Sequence, residues 1–388
     1  MKIGIDARCL MDGRRTGVEE YTINLLENLF CQDNNNEYIL FLNSLKKSGT
    51  DLNWLKKYPN VSLKMFRFPN KLLNLFFWYW RWPKIDKLLG GVDIFFMPNI
   101  NFAAVSGKTK LILTIHDLSF EYFPETFSSK RRLWHFFINP KKLIQKSDKI
   151  IAVSDSTKSD LINFYGISEK KIKVIYNGLS SECNVIDRNS LKLIQIKEKY
   201  KLPYKFILYL GTIEPRKNII GLIKAYNILK EIEKMRLGKY KLVIAGAKGW
   251  KSKQIFSEIK KSPFKHSIIF TGIIDNKDKP AFYNLASLFV YPSFFEGFGF
   301  PPLEAMKCGI PIITSNISSL PEIVNGAGIL IDPDKPDEIY QAIKNILLNN
   351  KLQEDLIRKG LTQSAKFNWK KTAEEFLVIL SGVKNPDI

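Results

Sequence analysis

An α/β fold of two successive, doubly wound parallel sheets facing a central cleft is predicted by three features of this 388-residue sequence. Short apolar, β-branched runs alternate with longer amphipathic stretches, the pattern of parallel strands joined by crossover helices. The alternation breaks once, after Asn177-Gly178, and then resumes. The length suffices for two cores of ordinary domain size.

In the first half, strands are expected at KIGID (2–6), 38–42, 61–66, 92–97, 110–117, 149–154 and 171–176, with helical patterns between them. Residues 179–203 read as a linker holding a short helix. The second series places strands at 205–211, 240–246, 267–272, 288–293, 311–315 and 328–332, and three helical patterns end the chain. A first domain over 1–178 and a second over 204–368 follow, with the last helix, about 369–383, packing back on the first. Ligands of such sheets bind beyond the carboxyl ends of the strands, which is where site residues are sought.

Composition narrows the function. With 45% hydrophobic and 25% charged residues, the chain is of globular rather than disordered type. Its longest apolar runs, LLNLFFWYW (72–80) and IFFMPNINFAAV (94–105), fall short of the roughly 20 residues that cross a bilayer. Asp6 and Arg8 interrupt the start, so no secretory signal is expected and the cytoplasm is the expected compartment. Cys9, Cys31, Cys183 and Cys308 are scattered, and there are three histidines, so neither a disulfide framework nor a metal site is signalled. The net charge is +21, and residues 51–150 carry 17 Lys and Arg against 7 Asp and Glu. Within that region KLLNLFFWYWRWPKIDKLL (71–89) interleaves bases with aromatics, a composition suited to anionic lipid or a phosphate-bearing substrate. Nucleic acid is not expected, because no RNP, KH or zinc-finger pattern accompanies the charge.

Late in the second series, FFEGFGFPPLEAMKCG (294–309) sets Glu296 and Glu304 on either side of a Gly297-Phe298-Gly299 turn. The glycines admit tight or left-handed backbone, and Pro301-Pro302 can open a helix after Phe300. Such a turn is expected to aim backbone N–H groups and the positive end of a helix dipole at a diphosphate. Glu304 could then accept from the vicinal hydroxyls of a ribose, and Glu296 from a second polyol beyond the phosphates. Ribose, diphosphate and hexose are the parts of a sugar nucleotide. An isolated glutamate pair would ordinarily be a loop acid and a solvated helix residue; the place at a strand end late in an α/β series favours a ligand.

EGFGFPPLE resembles the Glu-x7-Glu motif of the retaining glycosyltransferases of GT-B fold, glycosyltransferase family 4. The resemblance runs along nearly the whole chain. In GTIEPRKN (211–218), Lys217 matches the family lysine and Arg216 stands beside it, while Thr212 occupies the place where many members carry arginine. DGRRTGVEEYTINLLENL (12–29) resembles the family's glycine loop and following helix, with Gly17 close to the donor phosphate. TIHDLSF (114–120) puts His116 and Asp117 at a strand end, where the family histidine touches the transferred sugar. The segments 153–178 and 314–333 match as well; Ser156-Thr157 is expected to start a helix, Asn316 and Ser318 to line the pocket, and Glu322 to fix a helix start. His135 and His266 are taken as structural. The resemblance implies Glu296, His116 and Lys217 as catalytic residues. It implies Glu304, Arg216, Gly17, Gly211, Thr212, Gly297, Phe298, Gly299 and Phe300 around the donor. Asp117, Arg14 and Arg15 fall on the acceptor side.

The function so implied is retaining, metal-independent transfer of a hexose from a nucleotide-sugar donor, with no cofactor. TGVEEYT, GTIEPRKN and SNISSLPEIV look most like bacterial mannosyltransferases of O-antigen or surface polysaccharide, which favours GDP-mannose. UDP-sugars and dTDP-rhamnose stay open. The acceptor expected is a glycan on a polyprenyl diphosphate, met in peripheral contact with an anionic membrane. A UDP-sugar epimerase of similar fold is the rival enzyme, and a nucleotide-sugar sensor that binds without turnover the rival outside catalysis.

Overall fold

The computed structural model describes residues 1–11, 17–45 and 51–384. The chain packs as two units. One comprises Met1–Leu118, Ser129–Gly178 and the chain from Asn368, the other Ser119–Ser128 and Leu179–Phe367.

The first unit is built on seven parallel strands in the order β3-β2-β1-β4-β5-β6-β7. They are β1 (Lys2–Asp6), β2 (Glu37–Asn43), β3 (Val61–Phe66), β4 (Ile94–Met97), β5 (Lys110–Ile115), β6 (Lys149–Ala152) and β7 (Ile172–Val174). β4 is buried along its length and β5 along all but its first residue, because helices cover both faces of such a sheet; the strands therefore read as continuous apolar runs. β3, at the edge, is half exposed. The Trp369–Lys384 helix completes this unit. Trp369 lies 5.9 Å from the Tyr21 ring, Phe376 4.6 Å from Phe96, and the Thr372 hydroxyl donates to the Tyr176 carbonyl at 2.8 Å.

The second unit carries six parallel strands in the order β10-β9-β8-β11-β12-β13. These are β8 (Phe206–Leu210), β9 (Lys241–Ala245), β10 (Ile268–Gly272), β11 (Leu288–Tyr291), β12 (Ile312–Ser315) and β13 (Ile329–Ile331). Both sheets are doubly wound as expected, and every strand falls within or beside its expected run. Residues 179–203 pack on this unit. The Leu191–Lys199 helix buries Leu193 and Ile196, Tyr200 meets the Phe282 ring at 4.9 Å, and the Asn284 side chain bonds the backbone of Asn184 and Ile186.

The direction of winding reverses between β1 and β4 in the first sheet and between β8 and β11 in the second. A crevice opens at such a point beyond the carboxyl ends of the strands. Among the described residues, no helix is long and apolar enough to cross a membrane.

Candidate active site

In the second unit, two loops leave the reversal point. After β8 the chain runs through Gly211 and Thr212 into a single 3-10 turn, Pro215–Lys217. Asn218 ends that turn with left-handed backbone (φ 52°), and its side chain caps the Ile219–Ile232 helix by accepting from the Gly221 N–H at 3.1 Å. Gly246, at the end of β9, holds the β8 loop close: a β-carbon there would stand 1.9 Å from the Gly211 carbonyl oxygen. After β11 the second loop carries Ser293 and Glu296 to Gly299, whose φ of 100° suits glycine, and the Phe300–Lys307 helix follows. Pro301 and Pro302 lack N–H groups, so amide donors to an anion must come from the loop, from Phe300 and from Leu303 onward.

The two loops meet through charge. Lys217 donates to Glu296 Oε1 and, at 2.7 Å, to the Tyr291 hydroxyl. Arg216 Nη1 lies 3.3 Å from Glu296 Oε2 and also bonds the Phe295 carbonyl, while its Nη2 reaches Glu214 Oε1 at 2.9 Å. Ser293 donates to Glu296 Oε1 at 2.7 Å. Lys217 is 7% exposed and Glu296 8%, so two acids and two bases form a buried, charge-balanced quartet. Burial pushes the Glu296 carboxyl up, but the Lys217 and Arg216 charges and the Lys217 and Ser293 hydrogen bonds outweigh it and hold the group at about 2. Burial, and then Arg216, lowers Lys217 from its ordinary value against the pull of the two carboxylates.

The stretch after β12 braces this loop. The Glu296 N–H donates to Ser318 Oγ at 3.0 Å, and the Ser319 hydroxyl donates to the carbonyls of Glu296 and Phe298 at 2.9 and 3.0 Å. Asn316 is exposed, and Glu322 stands in the first turn of the Leu320–Val324 helix. Phe298 is buried and Phe300 half-buried, with their rings 5.1 Å apart.

Glu304 has a different set of partners. Its carboxylate accepts from Lys279 Nζ at 2.6 Å and from the Tyr283 hydroxyl at 2.7 Å, and it is 2% exposed. The structure thus brings Glu296, Lys217 and Arg216 together and gives Glu304 separate anchors on the Lys279–Leu285 helix. Thr212 is exposed at the start of the β8 loop, and Gly211 is half-buried against Tyr209 and Tyr291.

Ten residues from the middle of the chain also pack here. In Ser119–Ser128, Tyr122 and Phe123 place their rings 5.0 and 5.9 Å from that of Phe295, the neighbour of Glu296. Phe127 stacks on Trp250 at 5.9 Å, and Trp250 Nε1–H donates to the Thr126 carbonyl.

The first unit holds the remaining expected residues. β5 ends at Ile115, so His116 and Asp117 lie just beyond its carboxyl end, both half-buried. His116 Nε2 is 2.8 Å from the Pro98 carbonyl, its ring meets Tyr21 edge-on at 4.8 Å, and burial lowers its pKa. Gly17 opens the Gly17–Gln32 helix and is exposed; among the described residues, nothing beyond its neighbours in the chain and the backbone of its own helix lies within 4 Å of where a β-carbon would stand. Arg14 and Arg15 lie outside the described residues. The Asp155–Tyr165 helix is capped by Ser154, which accepts from the Thr157 N–H at 3.1 Å, so the cap lies two residues before Ser156 and three before Thr157, the pair expected to start the helix.

Glu214, Ser293, Tyr291, Lys279 and Tyr283 escaped the sequence analysis. For the last two, the only signal was a lysine and a tyrosine four apart on a helix that opens with Pro280. Among the described residues, no three His, Cys, Asp or Glu side chains gather into a set able to hold a metal ion.

Two doubly wound units, one with a carboxylate and two cations at its reversal point, are the layout of a GT-B glycosyltransferase. The comparisons agree. Residues 15–182 match the model of Glycosyltransferase Family 4 and residues 193–363 that of Glycosyl transferases group 1. O-antigen chain mannosyltransferase B of Escherichia coli is 33% identical over 270 residues, 69% of each chain. The N-acetylgalactosamine-N,N'-diacetylbacillosaminyl-diphospho-undecaprenol 4-alpha-N-acetylgalactosaminyltransferase of Campylobacter jejuni is 27% identical over 80% of this chain and 82% of its own. Sucrose-phosphate synthase of Thermosynechococcus elongatus superimposes with a TM-score of 0.75 over the whole of both chains at 18% identity, a likeness of fold. The chain belongs to glycosyltransferase family 4.

Proposed function

We propose that this glycosyltransferase moves mannose from GDP-mannose to a growing surface glycan, with retention and without a metal ion. The buried Glu296–Lys217–Arg216 cluster at the β8/β11 reversal point carries the reading. Glu296 holds hydroxyls of the transferred sugar, and Lys217 and Arg216 turn to the donor diphosphate. Two cations fixed in a desolvated site take up the negative charge that grows on the leaving group, the task a divalent ion performs elsewhere. A donor phosphate oxygen accepts the proton of the acceptor hydroxyl on the face it leaves, so Glu296 is not required as a covalent nucleophile. Glu304 takes the ribose, His116 the sugar from the acceptor side, and Gly17, Gly211, Thr212, Gly297, Phe298, Gly299 and Phe300 border the donor.

The identity to an O-antigen mannosyltransferase supports mannose. The Campylobacter relative, whose name includes a diphospho-undecaprenol, supports an acceptor on a polyprenyl diphosphate, met by peripheral contact at the inner face of the membrane. A thermal-shift screen of nucleotide diphosphates and their sugars tests the donor. GDP and GDP-mannose are expected to stabilise the chain most, by about 2.7 kcal/mol at a hundredfold excess over Kd. Stabilisation by UDP or dTDP alone would overturn the base. Release of an epimerised sugar nucleotide in the absence of acceptor, read by NMR, would overturn transfer.

A further inference from the structure

Glu214 ends the loop that follows β8 and stands just before the Pro215–Lys217 turn, with extended backbone. Side chains at such a position commonly cap the turn, but that of Glu214 makes no capping hydrogen bond. Its Oε1 accepts instead from Arg216 Nη2 at 2.9 Å, and the residue is 2% exposed. Gly249, in the loop after β9, lies over it: a β-carbon there would stand 3.3 Å from that of Glu214 and 2.9 Å from the Ile213 carbonyl oxygen. A carboxylate is costly to bury unless it is paired, so Glu214 has a strong hold on Arg216.

The two cations of the cluster are thus restrained unequally. Arg216 is held by both carboxylates, Glu214 at 2.9 Å and Glu296 at 3.3 Å, and by the Phe295 carbonyl. Among the described residues, Lys217 has an ion pair with Glu296 alone, and its second partner is the neutral Tyr291 hydroxyl at 2.7 Å. When Glu296 turns to the hydroxyls of a bound sugar, Lys217 is therefore released whole and Arg216 only in part.

The charge of the ligand changes during transfer. The bond from the sugar C1 to the phosphate oxygen breaks, that oxygen keeps the electron pair, and C1 bonds to the acceptor oxygen. The acceptor proton passes to the phosphate and then to water, because a terminal phosphate ionises near neutral pH. The spent nucleoside diphosphate is in consequence more anionic than the donor was, and two buried cations left to themselves would hold it the more tightly. Slow release of such a product limits turnover.

We propose, resting on the transferase reading, that Glu214 is a positioning residue for product release: by holding Arg216 back from the diphosphate, it weakens the grip on the spent nucleotide. Glu296 works to the same end once the sugar has left it, by taking back Lys217. Each base is so matched by an acid that reclaims it.

Binding of GDP, UDP and dTDP and of their sugar nucleotides is measured by calorimetry on the full chain, beside thermal melts and transfer followed through the first and later turnovers. Glu214→Gln is expected to bind the nucleoside diphosphate about tenfold more tightly and the donor less so. KM and kcat should fall together, with a first turnover near the wild-type rate and a slower steady state after it, a pattern that a merely loosened fold does not give. Glu214→Asp keeps the charge one methylene farther from the guanidinium and decides the matter should the glutamine variant fail to fold; binding about threefold tighter than wild type is expected. In the double variant Glu214→Gln, Arg216→Gln the cation is gone with its acid, and the tightening should vanish. Unchanged or weaker diphosphate binding in both single variants, or tightening that persists in the double variant, would overturn the release role while transfer by the wild type leaves the transferase reading in place. A wild type that binds none of the three diphosphates and transfers no sugar would remove that reading, and the release role with it.

Discussion

Lys217 and Glu296 form a buried ion pair beyond the carboxyl ends of β8 and β11, the strands between which the second sheet reverses. The lysine leans on the Tyr291 hydroxyl and the glutamate on that of Ser293, each at 2.7 Å. Glu296→Gln keeps the shape and the Ser293 bond and removes the charge. Transfer is expected to fall by about 10² to 10³, the order of loss when one fixed polar contact to a transition state is deleted. A radiolabelled-donor assay beside a thermal melt measures it. Wild-type rates in both Glu296→Gln and Lys217→Met would remove the site.

The same pair separates stability from activity. Lys217→Met leaves two carboxylates, Glu296 and Glu214, facing Arg216 alone in a buried place, and breaking such a pair typically costs about 3–5 kcal/mol. In the double variant Lys217→Met, Glu296→Gln the stranded charge is gone, so urea unfolding is expected to recover most of that loss while transfer stays absent. Recovery of both would mean that the pair serves the fold only.

Acid unfolding is expected to carry the signature of Glu296. Its folded pKa of about 2 lies below the ordinary 4.5, so its contribution is full above pH 4.5 and is lost as pH falls through about 2. The depression corresponds to roughly 3 kcal/mol. Urea midpoints between pH 5 and 2, read in wild type and Glu296→Gln, should converge as the pH drops. A constant gap would show that the carboxyl is not held down.

The strands were legible because a parallel sheet covered on both faces takes unbroken apolar runs, and β4, β5 and β8 have little but such residues. Glu296 stood out because its loop, at a strand end late in the second α/β series, sets glycines and prolines in an unusual spacing; Lys217, in a PRKN that alone describes any helix start, stood out through the resemblance of GTIEPRKN to the family motif. Lys279 and Tyr283 did not, since a lysine four residues before a tyrosine also describes any solvated helix face. Glu214 carries no signal in the sequence; its significance comes from the approach of Arg216. The packing of Ser119–Ser128 with the second unit was out of reach as well, because FEYFPETF is apolar enough for either core and neighbours in sequence do not tell which one receives it.

Glu304 offers a test of the ribose assignment. Its two oxygens rest on Lys279 and Tyr283, so a ribose diol must share or replace those donors. Glu304→Gln is expected to raise KM for the donor about tenfold, one charged hydrogen bond being worth about 1.5–3 kcal/mol, with a smaller effect on kcat. A donor lacking the ribose 2′-hydroxyl should bind the wild type more weakly and the variant no more weakly than the full donor does. Equal discrimination by both proteins would place the ribose elsewhere.

Tyr122 and Phe123 cover Phe295, which is buried and whose carbonyl accepts from both Arg216 and Ser293, two groups that also hold Glu296. The aromatic contact therefore acts on the carboxylate through one residue of backbone. Each ring pair contributes about 0.5–1.5 kcal/mol beyond its buried area, enough to order a short loop and too little to decide the stability of the whole unit. Tyr122→Ala, Phe123→Ala is expected to lower kcat about tenfold or more, with a melt a few degrees below the wild type. Phe123→Leu, which restores apolar cover without a ring, should recover much of the rate. Loss of donor binding in proportion to kcat, unrelieved by leucine, would instead mean that the two rings touch the donor themselves, and an unchanged rate would mean that the Glu296 loop holds its shape without them.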